Sequence, residues 1–157
     1  VFGVGSPRAR WLFVGEAPGA EEDKQGMPFV GRAGALLSAM LFSIGLSRED
    51  VYIANVLKCR PPNNRDPLGR EVRECSPFLH QQISWVQPEI IVAMGRFAAQ
   101  ALLETDQSLG QLRGHSHKYK INELPLVVTY HPAYLLRSPS AKGKSWEDLT
   151  LAQSIVD

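Results

Sequence analysis

Three separated segments of this 157-residue chain hold side chains that can bind and activate a polar substrate. The first segment combines closely spaced glycines with the carboxylates of Glu16 and Glu22 and the ring of Phe29. The second begins at Asn55, whose amide offers both a donor and an acceptor. The third contains His131, a side chain suited to proton donation near neutral pH. These residue types predict electrostatic or acid–base catalysis if the fold brings them together.

Apolar segments of two kinds supply the elements that must position these groups. Four short ones predict buried parallel strands, at residues 10–15, 51–56, 89–94 and 126–129. Apolar residues at helical spacing predict four helices, in residues 36–44, 72–86, 96–104 and 146–156. Asp66 and Pro67 predict the start of the second helix, as its cap and its first-turn residue. The alternation predicts a single three-layer α/β/α domain over residues 1–157, with a central mainly parallel sheet.

The candidate residues follow three of these predicted strands. The strands end near Gly15, Val56 and Thr129, and ligands of open α/β sheets bind beyond the carboxyl ends of the strands. We therefore expect three loops to form one site. The first loop has neither a Gly-Lys-Ser/Thr ending nor a Gly-x-Gly-x-x-Gly pattern, and its acidic residues would repel phosphate. On composition alone, it is equally well explained as a glycine-rich turn with solvated acids.

The first loop resembles a known family throughout residues 15–34. Its motif is Gly15-Glu-Ala-Pro-Gly19, then Glu22-Asp23, Gly26, Pro28-Phe-Val-Gly31 and Ala33-Gly34, similar to the first motif of the family 4 uracil-DNA glycosylases of bacteria and archaea. The resemblance implies a DNA repair enzyme that flips uracil out of DNA and hydrolyses its N-glycosidic bond, leaving an abasic site. It also implies that the backbone at Glu16 and Ala17 contacts uracil, that Phe29 stacks on it and that Glu22 assists catalysis. Glu16 is the second candidate carboxylate.

The resemblance extends to the second and third loops. Asn55 begins the segment Asn55-Val-Leu-Lys-Cys-Arg-Pro-Pro62, in which the family's asparagine reads the uracil. Uracil presents an acceptor at O4 and a donor at N3, whereas cytosine presents the reverse pair, so a fixed amide discriminates between them. His131 begins His131-Pro-Ala-Tyr-Leu-Leu-Arg137, which resembles the second superfamily motif. A donor at His131 would stabilise the negative charge that develops on the leaving base and would also contact it.

Basic and apolar residues near these loops predict contacts with DNA. The net charge is only +1, but residues 58–73 carry five basic and two acidic residues, and residues 113–144 carry six basic and one acidic. We expect Leu135 and Leu136 at an exposed loop tip, as an apolar wedge that fills the gap left by the flipped base. The residues expected to contact phosphate are Arg137, Lys58, Arg60, Arg65, Arg113, Lys142 and Lys144. A solvated basic face is the alternative.

The two cysteines, Cys59 and Cys75, are too few for a disulfide scaffold. The resemblance implies that both are ligands of a 4Fe-4S cluster, which normally has four cysteine ligands. The family's other two ligands form a Cys-x-x-Cys pair shortly upstream of the segment that matches residues 1–5. We therefore expect that the natural N-terminal segment is missing and that the full-length protein carries the cluster in a structural role. Loss of the cluster, leaving two free cysteines, is the alternative.

The composition predicts one compact core, and the resemblance predicts the class of reaction. A chain of this length with 44% hydrophobic residues can bury one sizeable core. Without an apolar run of about 18 residues, no membrane partner is expected, and we expect a monomer in the bacterial cytoplasm or nucleoid. The expected reaction is monofunctional hydrolysis, without lyase chemistry. The second hypothesis is a non-catalytic domain of the same fold that binds uracil or abasic DNA within a larger protein.

Overall fold

A six-stranded sheet forms the centre of the computed structural model, which describes residues 1–157. Its strands are β1 (Val4–Gly5), β2 (Trp11–Gly15), β3 (Val51–Asn55), β4 (Ile90–Met94), β5 (Ser116–Lys118) and β6 (Pro125–Thr129). They lie in the order β1-β3-β2-β4-β6-β5, with the inner four parallel and the two edge strands antiparallel. The predicted mainly parallel sheet is confirmed. The inner strands are almost completely buried, as their apolar sequences require.

The two edge strands have no counterpart in the sequence-based prediction. β1 has two residues and β5 has three, and the β5 sequence Ser-His-Lys is polar and largely exposed. Neither strand is long enough to show an apolar alternation, so periodicity could not reveal them. Short, polar edge strands also limit pairing with other chains.

Seven α-helices cover the sheet. They are α1 (Ala20–Gln25), α2 (Arg32–Ser43), α3 (Gly69–Val86), α4 (Arg96–Leu103), α5 (Leu109–Leu112), α6 (Pro132–Arg137) and α7 (Lys142–Val156). The four predicted helices correspond to α2, α3, α4 and α7. The other three are four to six residues long, too short to display helical periodicity. None of the helices combines the length and apolar character needed to cross a membrane.

Helix α3 begins later than the sequence predicts. Its N-cap is Leu68, so Asp66 and Pro67 lie before the helix, and the expected cap at Asp66 is wrong. The Glu71 carboxylate replaces it by accepting a hydrogen bond from the Leu68 amide, at 2.9 Å. Arg65 holds that carboxylate in place with two further hydrogen bonds, of 2.8 and 2.9 Å. The helix start therefore depends on a side chain inside its first turn.

Two apolar clusters, each of 17 buried residues, pack on opposite faces of the sheet. Alternate strand residues point to opposite sides, so Phe13 packs toward α2 and α7 while Leu12 packs toward α3 and α4. This arrangement confirms the predicted three-layer α/β/α architecture. All four inner strands end at the same edge of the sheet, where the following loops can meet.

A buried ion pair joins the segment after α5 to α7. The Arg113 guanidinium donates two hydrogen bonds to the Asp148 carboxylate, at 2.9 and 3.1 Å. The Asp148 side chain is 0% exposed and that of Arg113 is 17% exposed. Breaking such a pair leaves one charge buried without a partner, which is more costly than removing both charges.

We therefore expect the substitution Asp148→Ala to lower the free energy of unfolding by about 3–5 kcal/mol, measured by urea denaturation. The double variant Arg113→Leu/Asp148→Leu should recover most of this loss, because it removes both charges and leaves apolar side chains. A double variant that is less stable than Asp148→Ala would contradict this account of the pair.

Candidate active site

The loops that follow β2, β3 and β6 meet at one cavity of about 240 Å³. The side chains of greatest chemical interest in its wall are Glu22, Phe29, Asn55 and His131. Small residues complete the lining, namely Ala17, Gly19, Ala33 and Ala133. The structure thus brings these four predicted side chains together from three segments that are far apart in sequence.

Phe29 forms one wall of the cavity and is held by unusual backbone geometry. Its φ angle is 56°, a left-handed conformation that non-glycine residues rarely adopt. A Cβ at Gly34 would lie 1.9 Å from the Phe29 carbonyl oxygen, and a Cβ at Gly15 would lie 2.6 Å from the ring. Only glycine at these two positions leaves space for Phe29. The Phe29 ring lies 5.4 Å from the His131 ring, measured between centroids.

The Glu22 carboxylate organises the first loop. Its Oε1 accepts the Gly19 amide at 3.0 Å, and its Oε2 accepts the amides of Val30 and Gly31 at 2.9 and 3.0 Å. Burial acts to raise the pKa of Glu22, but these amides outweigh it, and the pKa lies below its ordinary value. Glu22 is therefore ionised at neutral pH, and it joins the start of α1 to the loop that carries Phe29.

Asn55 lines the cavity and contains an unsatisfied acceptor. It is the last residue of β3, where it pairs with Gly15, and it is 3% exposed. Its Oδ1 atom is buried and has no hydrogen-bond partner. A buried acceptor without a partner costs about 1–3 kcal/mol, and a native structure rarely contains one without a functional reason. A bound donor would satisfy it.

His131 is the N-cap of α6, and this position fixes its tautomer. Its Nδ1 accepts a hydrogen bond from the Ala133 amide at 3.0 Å, so the proton of the neutral ring is on Nε2. The pKa of His131 is lowered to about 4, chiefly by burial and also by the charge of Arg137, while Glu22 acts to raise it. At neutral pH, His131 is therefore an uncharged donor through Nε2.

Glu16 is not among the residues that line the cavity. Burial raises the pKa of its carboxyl group, as does the charge of Asp66, while Arg96 lowers it. The Glu16 carbonyl accepts the Leu57 amide at 3.0 Å, so it supports the second loop. Of the two candidate carboxylates, the structure brings only Glu22 to the cavity, whereas the neighbour of Glu16, Ala17, does line it.

Two of the predicted DNA contacts are wrong because the side chains are buried. Leu135 is 1% exposed and packs in the apolar cluster beneath α2, so it cannot form a wedge at a loop tip. Lys58 is 9% exposed, and its ammonium group donates to the carbonyls of Phe2 and Asn55 and to the Gln82 side chain. Burial of these two residues depends on tertiary packing, which their sequence neighbours do not reveal.

Other predicted DNA contacts remain accessible or are engaged elsewhere. Arg65 is bound to Glu71, and Arg113 is bound to Asp148, so both have structural roles. Arg137, Lys142 and Lys144 are exposed, as is Arg60 in part, and Leu136 is half-buried. The accessible members of the set therefore lie mainly in and after α6.

Sequence reasoning missed an exposed aromatic residue beside the site. Tyr134 is 40% exposed and stacks on Tyr130, with ring centroids 5.1 Å apart and planes 12° apart. The Arg113 guanidinium lies 5.8 Å from the Tyr130 ring centroid. Tyr130 lies before the N-cap of α6 and is outside the helix, so helical periodicity gave no signal for this stacking.

The two cysteines flank Lys58 on the side of the molecule where residues 1 and 2 lie. Cys59 is exposed and follows Lys58, and Cys75 is close enough to affect the Lys58 pKa. The Val1 amine and the Phe2 carbonyl contact Lys58 from the other direction. No group of three or more His, Cys, Asp or Glu side chains is placed to hold a metal. Residues 1–157 therefore offer two of the four thiolates that a 4Fe-4S cluster requires.

Comparison with known proteins agrees with this site. The sequence profile of the Uracil DNA glycosylase superfamily matches residues 2–150. The type-4 uracil-DNA glycosylase of Archaeoglobus fulgidus is 47% identical over 152 residues, covering 93% of this chain and 76% of the relative. That of Sulfurisphaera tokodaii is 48% identical, covering 93% and 70%, and that of Thermotoga maritima is 44% identical, covering 99% and 82%.

These matches extend over nearly the whole chain, including all three loops around the cavity. The resemblance drawn from the three sequence motifs is confirmed. The chain belongs to the uracil-DNA glycosylase superfamily, and within it to the type-4 uracil-DNA glycosylases.

Proposed function

We propose that this protein removes uracil from DNA by hydrolysing the bond between uracil N1 and the deoxyribose, leaving free uracil and an abasic site. The observation that carries the proposal is the cavity in which a buried Asn55 oxygen without a partner, the Phe29 ring and the neutral His131 meet. The names of its type-4 relatives support the same activity. The cavity has the size of a single base. A base could enter it only after its nucleotide has been flipped out of the DNA stack.

Base recognition is assigned to Asn55. Its free Oδ1 accepts the N3 proton of uracil, and its Nδ2 group donates to O4. Cytosine has an unprotonated N3 and an amino group at C4, so it would leave both amide groups without partners. Because Asn55 is 3% exposed, water cannot replace those lost hydrogen bonds easily, and the mismatch is costly. Phe29 stacks on the base and compensates part of the lost base stacking.

His131 is assigned to the leaving base. As the glycosidic bond breaks, negative charge accumulates on uracil, chiefly at O2, and the Nε2 proton of His131 donates a hydrogen bond to it. The uncharged ring is suited to this task because a cation there would oppose the positive charge that develops on the sugar. Its hydrogen bond from the Ala133 amide orients the ring before the substrate arrives.

Glu22 is assigned to the sugar side of the reaction. Its negative charge favours the cationic sugar, and Oε1, which accepts only one amide, retains a lone pair that can orient the attacking water. The three amides that hold Glu22 also place Phe29, so the carboxylate has a positioning role besides its electrostatic one. The Glu16 side chain is assigned no step.

DNA is bound by the surface around α6. Arg137 and Leu136 project there beside the exposed Tyr134, and Lys142 and Lys144 follow at the start of α7. These cations would neutralise phosphates on either side of the flipped nucleotide. Arg60, which is partly exposed on the second loop, is a further candidate for phosphate contact.

Cys59 and Cys75 are the residues of this chain that would hold a 4Fe-4S cluster. Such a cluster would fix the loop that follows Cys59 and the first turns of α3 against the N-terminal segment. Its chemistry is structural, because the hydrolysis transfers no electrons. The donor set agrees with this assignment in part, since both thiols are free and lie beside Lys58.

Single-turnover assays on uracil-containing oligonucleotides, single-stranded and double-stranded, test the proposal. We expect one uracil released per site, an abasic strand that breaks only after alkali treatment, and no reaction with cytosine or thymine at the same position. DNA binding by the folded protein without uracil release would instead favour the non-catalytic binding domain.

Replacing His131 should slow the chemistry far more than it weakens DNA binding. We expect both His131→Ala and His131→Ser to reduce the single-turnover rate about 100–1,000-fold, because a donor to the leaving base is lost. Serine retains an N-cap acceptor for α6, so the DNA Kd of His131→Ser should stay near that of the wild type. Equal losses of DNA binding and rate in His131→Ser would contradict the assigned role.

The same residue predicts the acid limit of activity. Because the pKa of His131 is lowered to about 4, the wild-type rate should be constant from pH 8 to about 5 and fall as pH approaches 4. Protonation of Nδ1 removes the acceptor for the Ala133 amide, which misorients the ring. Circular dichroism at each pH separates this loss from unfolding. A midpoint near 6.5, the ordinary histidine value, would contradict the assignment.

Asn55→Leu should separate stability from activity. The change removes the buried acceptor that has no partner and keeps a similar side-chain volume, so the melting temperature should be unchanged or higher. Uracil release should fall at least about 100-fold, because the base loses both polar contacts. A markedly lower melting temperature with full activity would show that Asn55 is a structural residue.

A further inference from the structure

The buried lysine after β3 has no place in the mechanism above, and its surroundings are unusual. The Lys58 ammonium group donates to the Asn55 carbonyl at 2.9 Å, to the Phe2 carbonyl at 3.3 Å and to the Gln82 side-chain oxygen. An ammonium group has three N–H donors, and all three are used here. Lysine at 9% exposure is uncommon unless its charge is well satisfied.

One of these three acceptors belongs to the residue that recognises uracil. Asn55 ends β3, and the chain then turns away, with the Val56 and Leu57 amides bound to the carbonyls of Gly15 and Glu16. The Asn55 carbonyl points back to Lys58. Because the Asn55 Oδ1 has no protein partner of its own, the position of its amide depends on how its backbone is held.

The second acceptor is itself anchored. Gln82 is 1% exposed on α3, and its Nε2 donates to the Phe2 carbonyl at 2.6 Å and to the Tyr52 hydroxyl at 3.3 Å. Lys58 is thus held from one side by the N-terminal residues and from the other by α3. Its ammonium also lies 5.6 Å from the Phe2 ring centroid. The support for Asn55 therefore reaches well beyond the cavity.

We propose that Lys58 is a positioning residue for uracil recognition, whose buried ammonium group holds the backbone of Asn55 so that its side-chain amide meets the base in the correct orientation. This inference rests on the proposed function. It replaces the interpretation of Lys58 as a phosphate contact. An apolar side chain of similar length could fill the same space, but it would leave the Asn55 carbonyl without its partner.

The test is equilibrium binding of free uracil, measured by titration calorimetry, which requires no catalysis. Lys58→Met keeps the length of the side chain and removes all three donors. We expect it to weaken uracil binding about tenfold or more and to reduce uracil release to a similar extent. Binding to an oligonucleotide without uracil should be unchanged, because the Lys58 ammonium faces the protein interior.

Tyr52→Phe is the matched control. It removes a hydrogen bond from the same network, at the far side of Gln82, and does not touch Lys58 or the cavity. Its uracil affinity should equal that of the wild type, even where its melting temperature falls. If Tyr52→Phe weakened uracil binding as much as Lys58→Met, the effect would belong to general stability, and the proposal would be overturned.

Two further outcomes would also overturn it. One is a folded Lys58→Met protein with wild-type uracil affinity; the other is a Lys58→Met protein that loses affinity for DNA without uracil while binding free uracil normally. If Lys58→Met does not fold, Gln82→Met replaces it and should weaken uracil binding by a smaller factor, about threefold; unchanged binding would overturn the proposal. A wild-type protein that neither binds nor releases uracil would refute the proposed function itself, a result distinct from those of the variants.

Discussion

The structure of the site depends on one carboxylate that accepts hydrogen bonds from three backbone amides. Glu22 accepts the amides of Gly19, Val30 and Gly31, and so closes residues 19–31 into a compact loop after β2. This closure helps to hold Phe29 in its left-handed conformation beside Gly15 and Gly34. The loop is rich in glycine, whose flexibility must be offset by strong contacts, and charge-assisted hydrogen bonds are among the strongest available.

The groups of the site are arranged at a cost to stability. Asn55 keeps a buried oxygen without a partner, and His131 is kept neutral by burial although it could carry a charge in water. Both conditions cost free energy in the unbound protein. A bound uracil offsets this cost, because its donor pairs with the Asn55 oxygen and its developing negative charge accepts a hydrogen bond from His131. The parallel sheet offsets this cost through its buried inner strands and the two apolar clusters on its faces. Preorganisation of this kind leaves little reorganisation for the reaction itself.

Sequence reasoning found the inner strands, the four longer helices and the four principal cavity residues, because each has a local signature. Apolar runs, helical periodicity and the three motifs were enough to predict these elements and residues. It misplaced Leu135 and Lys58, since a leucine in a predicted loop and a lysine beside Cys59 give no local sign of burial. It also took Arg65 and Arg113 as free cations, although their partners Glu71 and Asp148 lie six and 35 positions away. Pairing and burial are properties of the tertiary structure, and neighbours in sequence encode them weakly.

The contact between Gly34 and Phe29 has a consequence for how this site can change during evolution. A single methyl group at position 34 would collide with the backbone of residue 29, so the path of the loop is locked by a glycine in the first turn of α2. A change in the side chain at position 29, by contrast, would leave this backbone path as it is. A change in base preference would therefore act through the side chains of the cavity, within an unchanged loop, and not through movement of the loop.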